Sequence, residues 1–153
     1  MTRLFLLCLI LLFNLSCDIL ENTSAYQVIL TTDKNVYSAD TSTVINLKVI
    51  NLGESPVYYV CTGKIYLEEY ENNSLTQSWQ IHGFEKCLSR NPILPESEHS
   101  FKLNFLQWMA VVTAKFNEKV SYKLKIELFG NADLKQELNP EAQFTNYIKI
   151  IRE

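Results

Sequence analysis

Histidine and glycine are both scarce in this chain of 153 residues, which contains 2 and 4 of them. With so few glycines, the sequence has no glycine-rich phosphate-binding loop and no Gly-x-Ser-x-Gly turn of the hydrolase type. With only His82 and His99, it has no HExxH zinc motif either. Many turns must therefore be built from Asn, Asp, Ser and Pro.

An excess of positive charge is also missing. The chain has 14 Lys and Arg against 17 Asp and Glu, which gives a formal net charge of −3 at pH 7. Without a basic patch, nucleic acid is not an expected partner. Hydrophobic residues make up 47% of the sequence, which argues against disorder and predicts one domain with a packed core.

Two polar clusters contain the residue types of catalytic or metal sites. Ser97–Ser100 (SEHS) combines hydrolase residue types, but neighbours in a turn seldom converge on one substrate, and a polar turn after Pro95 is the favoured interpretation. Glu68, Glu69 and Glu71 suggest glycosidase carboxylates or a weak calcium site, against which a solvated strand face is favoured. The sequence thus predicts no catalytic residue, no metal and no cofactor.

The N-terminus has the pattern of an export signal. A short positive segment, Met1–Arg3, precedes an apolar run at Leu4–Phe13. This run is too short for a transmembrane helix, which needs about 20 apolar residues, and fits a signal peptide. The alternatives are an uncleaved anchor or an N-terminal core helix or strand.

Cys17 stands where the apolar run has just ended. Leu15–Cys17 (LSC) resembles a bacterial lipobox, in which small residues precede the cysteine that receives lipid. This interpretation predicts a lipoprotein signal peptide at 1–16 and a lipid anchor with its tether at 17–25. The alternative is ordinary signal cleavage near Ser24–Ala25.

The remaining cysteines fit that interpretation. Of the 4 cysteines, Cys8 would leave with the signal peptide and Cys17 would carry the lipid. Cys61 and Cys87 are left as an even pair in an exported protein, which predicts a disulfide. The pair has no CxxC spacing, so a redox or metal role is less favoured. By loop entropy such a bridge stabilises the fold by about 3.5 kcal/mol.

Alternating apolar and polar residues indicate β-strands along the chain. The pattern is clear around Leu47 and clearest at Val120–Leu128. It predicts an all-β fold of about seven to eight antiparallel strands forming a sandwich. Residues 106–116 are interpreted as a strand or an irregular connection. The predicted strands are 26–32, 43–51, 57–60, 65–70, 76–81, 101–105, 120–128 and 144–151, with turns or loops at 33–40, 72–74, 84–95 and 131–141.

The segment TTDKNVYSADTSTVINLKVINLGESPVYYV resembles the opening of bacterial immunoglobulin-like domains found in small envelope lipoproteins. The resemblance covers roughly residues 26–129 and implies an Ig-like β-sandwich over 26–153, without implying any catalytic residue. The matching positions are Asp33, Lys34, Tyr37, Asn51, Pro56, Tyr58 and Tyr59, followed by Trp79, Cys87 and 94–97.

These observations predict a non-enzymatic, lipid-anchored protein on a membrane of the cell envelope, on its periplasmic or surface face. It would bind another envelope component, a protein or a glycan, or form part of an assembly. Trp79 is expected in the core between the sheets, whereas Tyr59 and Tyr70 are the aromatic residues expected at an exposed binding surface.

Two alternatives to this function remain open. One is a proteinase inhibitor that presents the disulfide-tethered loop 87–95 (CLSRNPILP), with Arg90 as its prominent side chain. The other is an enzyme whose site cannot be recognised in the sequence.

Overall fold

The computed structural model describes residues 26–83, 89–108, 112, 116 and 118–152. The predicted signal peptide, 1–16, and tether, 17–25, lie outside this part of the chain. The strands are β1 (Val28–Thr32), β2 (Val36–Ser38), β3 (Val44–Asn51), β4 (Val57–Val60), β5 (Ile65–Glu71), β6 (Ser74–His82), β7 (Arg90–Ile93), β8 (Ser97–Asn104), β9 (Val120–Ile126) and β10 (Lys149–Ile151), with a short helix α1 (Phe105–Trp108) and a 3₁₀ turn at Pro140–Gln143.

The strands form two three-stranded and two two-stranded sheets. One sheet has the order β1-β3-β8 and another β6-β5-β9, both antiparallel, and β4 pairs with β7. The predicted all-β class is confirmed. One pair departs from the predicted antiparallel arrangement, because β2 and β10 pair in parallel.

The period-2 pattern that predicted the longest strands corresponds to real burial. Along β3 and β9 every second side chain is buried, and those side chains join one hydrophobic cluster that both three-stranded sheets share. The opposite faces carry most of the polar residues of these strands, together with Val44 and Ile50 of β3. The two sheets thus contribute to a common core, while the Ig-like sandwich itself stays a prediction.

Two strands lie in segments that were predicted as turns or loops. β2 falls within 33–40 and β7 within 84–95, and they have only three and four residues. A strand this short shows too few alternations for a periodic pattern, and β7 also contains Pro92, which normally argues against a strand. Pro92 is accommodated because β7 is an edge strand of the two-stranded sheet that it forms with β4.

The hairpin between β5 and β6 is as predicted. Asn72 and Asn73 have φ of 51° and 63°, the left-handed conformation that a tight hairpin turn needs and that Asn tolerates well. The turn returns the chain as β6, the edge strand of its sheet. Trp79 on this edge strand lies opposite the core residue Leu67 and packs against the core as predicted, but it is only partly buried.

Within the described residues, no helix has the length and hydropathy that crossing a bilayer requires.

Candidate functional site

The outer face of the β6-β5-β9 sheet carries an unusual set of polar and aromatic side chains. In β5, Leu67 points into the core, so its neighbours Tyr66 and Glu68 point outward. The register with β9 places Glu68 directly opposite Lys123, and Tyr66 opposite Lys125. Carboxylates, phenols and ammonium groups therefore lie side by side on this face.

A further segment of chain runs beside β9 and adds two rings. Residues 144–148 are held by isolated bridges that pair Phe144 with Lys125 and Ile148 with Tyr122. The amide of Thr145 donates to the carbonyl oxygen of Leu124 at 3.0 Å. This attachment brings Phe144 and Tyr147 to the lysines of β9.

The ammonium of Lys123 lies among three aromatic rings. Its Nζ is 4.4 Å from the ring centroid of Tyr147, 5.7 Å from that of Tyr70 and 5.8 Å from that of Phe144. The rings of Tyr70 and Tyr147 meet edge to face, with centroids 5.4 Å apart and an interplanar angle of 87°. We call Tyr70, Lys123, Phe144 and Tyr147 the lysine–aromatic face; cation–π attraction fixes the ammonium there.

Glu68 holds Tyr70 of this face in place through a hydrogen bond. Its carboxylate accepts a hydrogen bond from the Tyr70 hydroxyl at 2.7 Å, and its side chain is only 7% exposed. Burial, this hydrogen bond and the charge of Glu68 together raise the pKa of Tyr70. Tyr70 therefore stays a neutral donor, and its ring is held in place next to Lys123.

Glu69 belongs to the interior of the protein. It is 1% exposed and accepts hydrogen bonds from the Tyr122 hydroxyl at 3.2 Å and the Thr76 hydroxyl at 3.0 Å. The Tyr122 hydroxyl also accepts from the amide of Phe116. The predicted solvated face for this acidic cluster is therefore wrong for Glu68 and Glu69, because hydroxyl donors allow both carboxylates to be buried.

The lysine–aromatic face is partly open to solvent. Tyr147 is 41% exposed, and Leu75, which lies opposite Tyr70, is 53% exposed. In the part of the chain that the structure describes, neither Lys123 nor Lys125 forms an ion pair. Two ammonium groups without a salt bridge thus stand beside these rings, although Glu68 lies opposite Lys123, in a chain of net charge −3.

The structure does not bring together the three residues predicted as a binding surface, which are Tyr59, Tyr70 and Arg90. Tyr59 on β4 is 6% exposed, since its ring packs on Phe101 and its hydroxyl contacts His99 Nε2 at 3.1 Å. Its expected exposure is wrong. Arg90 is exposed on β7, opposite Val60 of β4. Only Tyr70 lies in the β6-β5-β9 sheet.

The segment expected to act as an inhibitor loop is partly a strand. Residues 87–88 lie outside the described residues, but Arg90–Ile93 pairs with β4 along its whole length. The backbone of a paired strand is not free to enter a protease cleft in the way that an exposed loop does. The turn predicted for Ser97–Ser100 is also wrong, because these residues begin β8.

Cys61 occupies the corner after β4. It has φ of 58°, its amide donates to Ser89 O at 2.8 Å, and its carbonyl oxygen accepts from Asn91 Nδ2. Cys87 and Cys17 lie outside the described residues, so the disulfide with Cys87 and the lipidation of Cys17 stay predictions.

No set of three His, Cys, Asp or Glu side chains in the described ranges is arranged to hold a metal ion. The histidines have other partners: His82 Nδ1 donates to the carbonyl oxygen of Gly63 at 3.1 Å, and His99 contacts Tyr59. Both rings also pack against Phe101.

No family model matches the chain, and no curated protein matches it. Among solved structures it is similar to Spo0M, a sporulation control protein from Bacillus subtilis, with 14% sequence identity and a TM-score of 0.41. The similarity covers 84% of this chain and 49% of that chain, so this chain spans about half of the length of Spo0M. A likeness at this level carries no argument about fold or function.

Proposed function

We propose that this chain is a non-enzymatic, lipid-anchored protein of the bacterial envelope, whose Ig-like domain binds an acidic glycan through the lysine–aromatic face. The observation that carries the proposal is the position of Lys123. Its ammonium stands among three rings and forms no salt bridge with a carboxylate of the described residues.

The lysines favour an anionic ligand. Cation–π contacts hold Lys123 in one place, so binding costs less side-chain entropy than it would for a freely rotating lysine. Lys125 is two residues further along the same strand face, about 7 Å away. Each ammonium can donate a charge-assisted hydrogen bond to a carboxylate or sulfate of the ligand.

The rings favour a sugar over a bare anion. Exposed aromatic faces and edges, such as those of Tyr147, pack against the C–H faces of pyranose rings, which leaves the sugar hydroxyls in water. Leu75 extends the apolar part of the surface beside Tyr70. Repeating acidic sugars would place a carboxylate and a C–H face at regular intervals, which suits a strip of rings and lysines.

The sequence supports the envelope part of the proposal. A signal-like N-terminus followed by Cys17 fits lipidation and export. The shared core of β1-β3-β8 and β6-β5-β9, and the crossing of β2 to pair with β10, support an Ig-like sandwich. No observation on Arg90–Ile93 favours the inhibitor alternative.

An immobilised panel of acidic and neutral oligosaccharides tests the proposed activity. The expected result is binding of the purified domain to acidic members, weakened in high salt because exposed charges are screened. Lys123→Met keeps the apolar stem and removes the charge, and Tyr147→Ala removes an exposed ring. We expect both variants to lose most of the binding.

Lys102→Met is the matched control. Lys102 is an exposed lysine on the outer face of β8, in the other three-stranded sheet. This variant should bind like the wild type. Equal binding by all the variants, or binding to none of the acidic glycans, would contradict the proposal.

A further inference from the structure

The end of the domain where the described chain begins is built around the N-terminal segment. The hydroxyl of Tyr26 donates to the carbonyl oxygen of Gly130 at 2.7 Å, and the amide of Leu52 donates to Gln27 O at 2.7 Å. Val28 pairs with Asn51, and Asn51 with Ser97. The loop after β3 and the turn before β8 therefore lie beside the entry of the chain.

Two leucines project from this end. Leu52 in the loop after β3 is 47% exposed, and Leu94 in the turn before β8 is 59% exposed. Acidic and polar residues surround them, including the exposed Glu54 and Glu96. The two leucines form a small apolar pair at neighbouring loop tips, at the end of the domain where the described chain begins.

Hydrogen bonds hold both tips in place. The fully buried Asn51 donates from Nδ2 to the carbonyl oxygens of Ser55 at 2.9 Å and Ile93 at 3.0 Å, and it accepts from the amide of Gly53. Ser97 donates from its amide and its hydroxyl to Leu94 O, the latter at 2.6 Å. Neither loop can therefore easily turn its leucine inward.

We propose that Leu52 and Leu94 insert into the acyl boundary of the bilayer to which the protein is anchored. This inference rests on the proposed lipidation of Cys17. Residues 17–25 span at most about 30 Å when fully extended, so the lipid keeps this end of the domain near the membrane. A tether raises the local concentration of the bilayer, so that even two leucines suffice to set an orientation.

Two acidic side chains favour a zwitterionic over an anionic lipid surface. Glu54 and Glu96 flank the leucines, and an anionic lipid surface would repel them. The contact therefore depends on apolar insertion into zwitterionic lipid rather than on basic residues. The proposed contact is with the acyl region of the bilayer, which the leucines enter, and not with a lipid headgroup.

This orientation places the lysine–aromatic face away from the membrane. Ile65 of β5 pairs with Ile126, and the chain continues from there to Gly130 at the tether end. Tyr70 lies five residues further along β5, about 17 Å towards the opposite end. The bilayer contact would thus present the binding face to the surroundings instead of to lipid.

Photo-crosslinking of the full, lipid-modified protein tests the contact. Leu94 is replaced by p-benzoylphenylalanine, and the protein is reconstituted into phosphatidylcholine vesicles that carry an alkyne tag on an acyl chain. Replacement of Leu75 is the matched control, because Leu75 is similarly exposed at the opposite end. We expect several-fold more tagged lipid on position 94 than on position 75.

The same sample separates the failure of this inference from that of the anchor. Intact mass first shows whether Cys17 carries lipid. An unlipidated Cys17 would overturn both the anchor and the bilayer contact. A lipidated protein with equal or no lipid crosslinking at the two positions, or with crosslinks from position 94 to protein instead, would overturn the contact alone.

Discussion

Asp33 fixes the corner between β1 and β2 through three hydrogen bonds. Its carboxylate accepts from the Tyr37 hydroxyl at 2.7 Å and from the amide and side-chain amide of Asn46 at 2.9 and 3.1 Å. Asn51 fixes a second corner in a similar way. The residues that carry the resemblance to Ig-like domains therefore hold turns in place.

The pH dependence of the free energy of unfolding should show how much the Asp33 carboxylate stabilises this corner. Burial raises the pKa of Asp33, but the hydrogen bonds from Tyr37 and Asn46 outweigh it and hold this pKa below its usual value. A carboxylate with a depressed pKa stabilises the fold above its unfolded pKa of about 3.9, and this stability is lost as pH falls through the folded pKa. Asp33→Asn should therefore cost stability at neutral pH and little in strong acid.

Urea unfolding at a series of pH values, from neutral pH down to well below the unfolded pKa of Asp33, measures this difference. Glu54→Gln is the control, because the exposed Glu54 has no hydrogen bond to another described residue. Its effect should be small at every pH. A cost of Asp33→Asn that is unchanged in acid would show that the charge of Asp33 does not stabilise the corner.

Tyr122 connects a buried carboxylate to the backbone. Its hydroxyl donates to Glu69 and accepts from the amide of Phe116, and burial raises the pKa of Tyr122, so the hydroxyl stays protonated. Tyr122→Phe leaves an amide and a carboxylate short of a partner, which should lower the free energy of unfolding by about 1–3 kcal/mol. Tyr58→Phe, at a hydroxyl without a described hydrogen bond, should change it by less than about 0.5 kcal/mol. Equal effects of the two variants would refute this role.

At the scale of elements, prediction from the sequence succeeds where a strand is long and half-buried. β3 and β9 each show several alternations, and their buried sides are those that the pattern indicates. β2 and β7 were missed because pairing with β10 and β4, and not their own periodicity, makes them strands. Partners that are distant in sequence leave no local pattern.

The same limit explains why most of the candidate site could not be predicted from the sequence. Glu68 and Glu69 look like solvated charges because their donors, Tyr70 and Tyr122, only become neighbours through side-chain packing and strand pairing. Lys123 and Tyr147 have no motif in common, and a bridge between separate segments brings them together. Only Tyr70 could be picked out from its sequence, as an aromatic residue on an alternating strand.

The β5–β6 hairpin gives a test at this scale. A left-handed conformation costs an ordinary residue about 1 kcal/mol, whereas Gly adopts it freely. Asn73→Ala should therefore destabilise the protein by about 1 kcal/mol, and Asn73→Gly should be neutral or stabilising. Thermal unfolding measures both. At the exposed Asn146, where φ is not positive, the Ala variant should instead be more stable than the Gly variant. If the Gly variant were the more stable one at both sites, the turn assignment would be contradicted.

At the scale of the whole molecule, lipidation of Cys17 can be tested in cells that produce the protein. Cys17→Ser should leave an unprocessed precursor, because the lipid acceptor is lost before the signal peptide is cleaved. Comparing the masses of variant and wild type on a gel and by mass spectrometry would show this. Normal maturation of the variant would refute lipidation and favour ordinary cleavage near Ser24–Ala25.

The proposed lipid anchor and the proposed binding face would lie at opposite ends of the domain. The described chain begins at Tyr26, next to Gly130, while Tyr147 and Tyr70 lie near the other end of the β6-β5-β9 sheet. The net negative charge of the chain makes the two unpaired lysines of β9 a local exception. Such an arrangement suits capture of an extended anionic polymer outside the membrane.

The most direct test of this account is photo-crosslinking in intact cells from the lysine–aromatic face. Tyr147 is replaced by p-benzoylphenylalanine, which keeps a ring at the site, and Lys102 is replaced in a control. The account predicts adducts that contain acidic sugars at position 147 and none at position 102. Equal labelling at both positions, or adducts at position 147 that contain only protein, would contradict it.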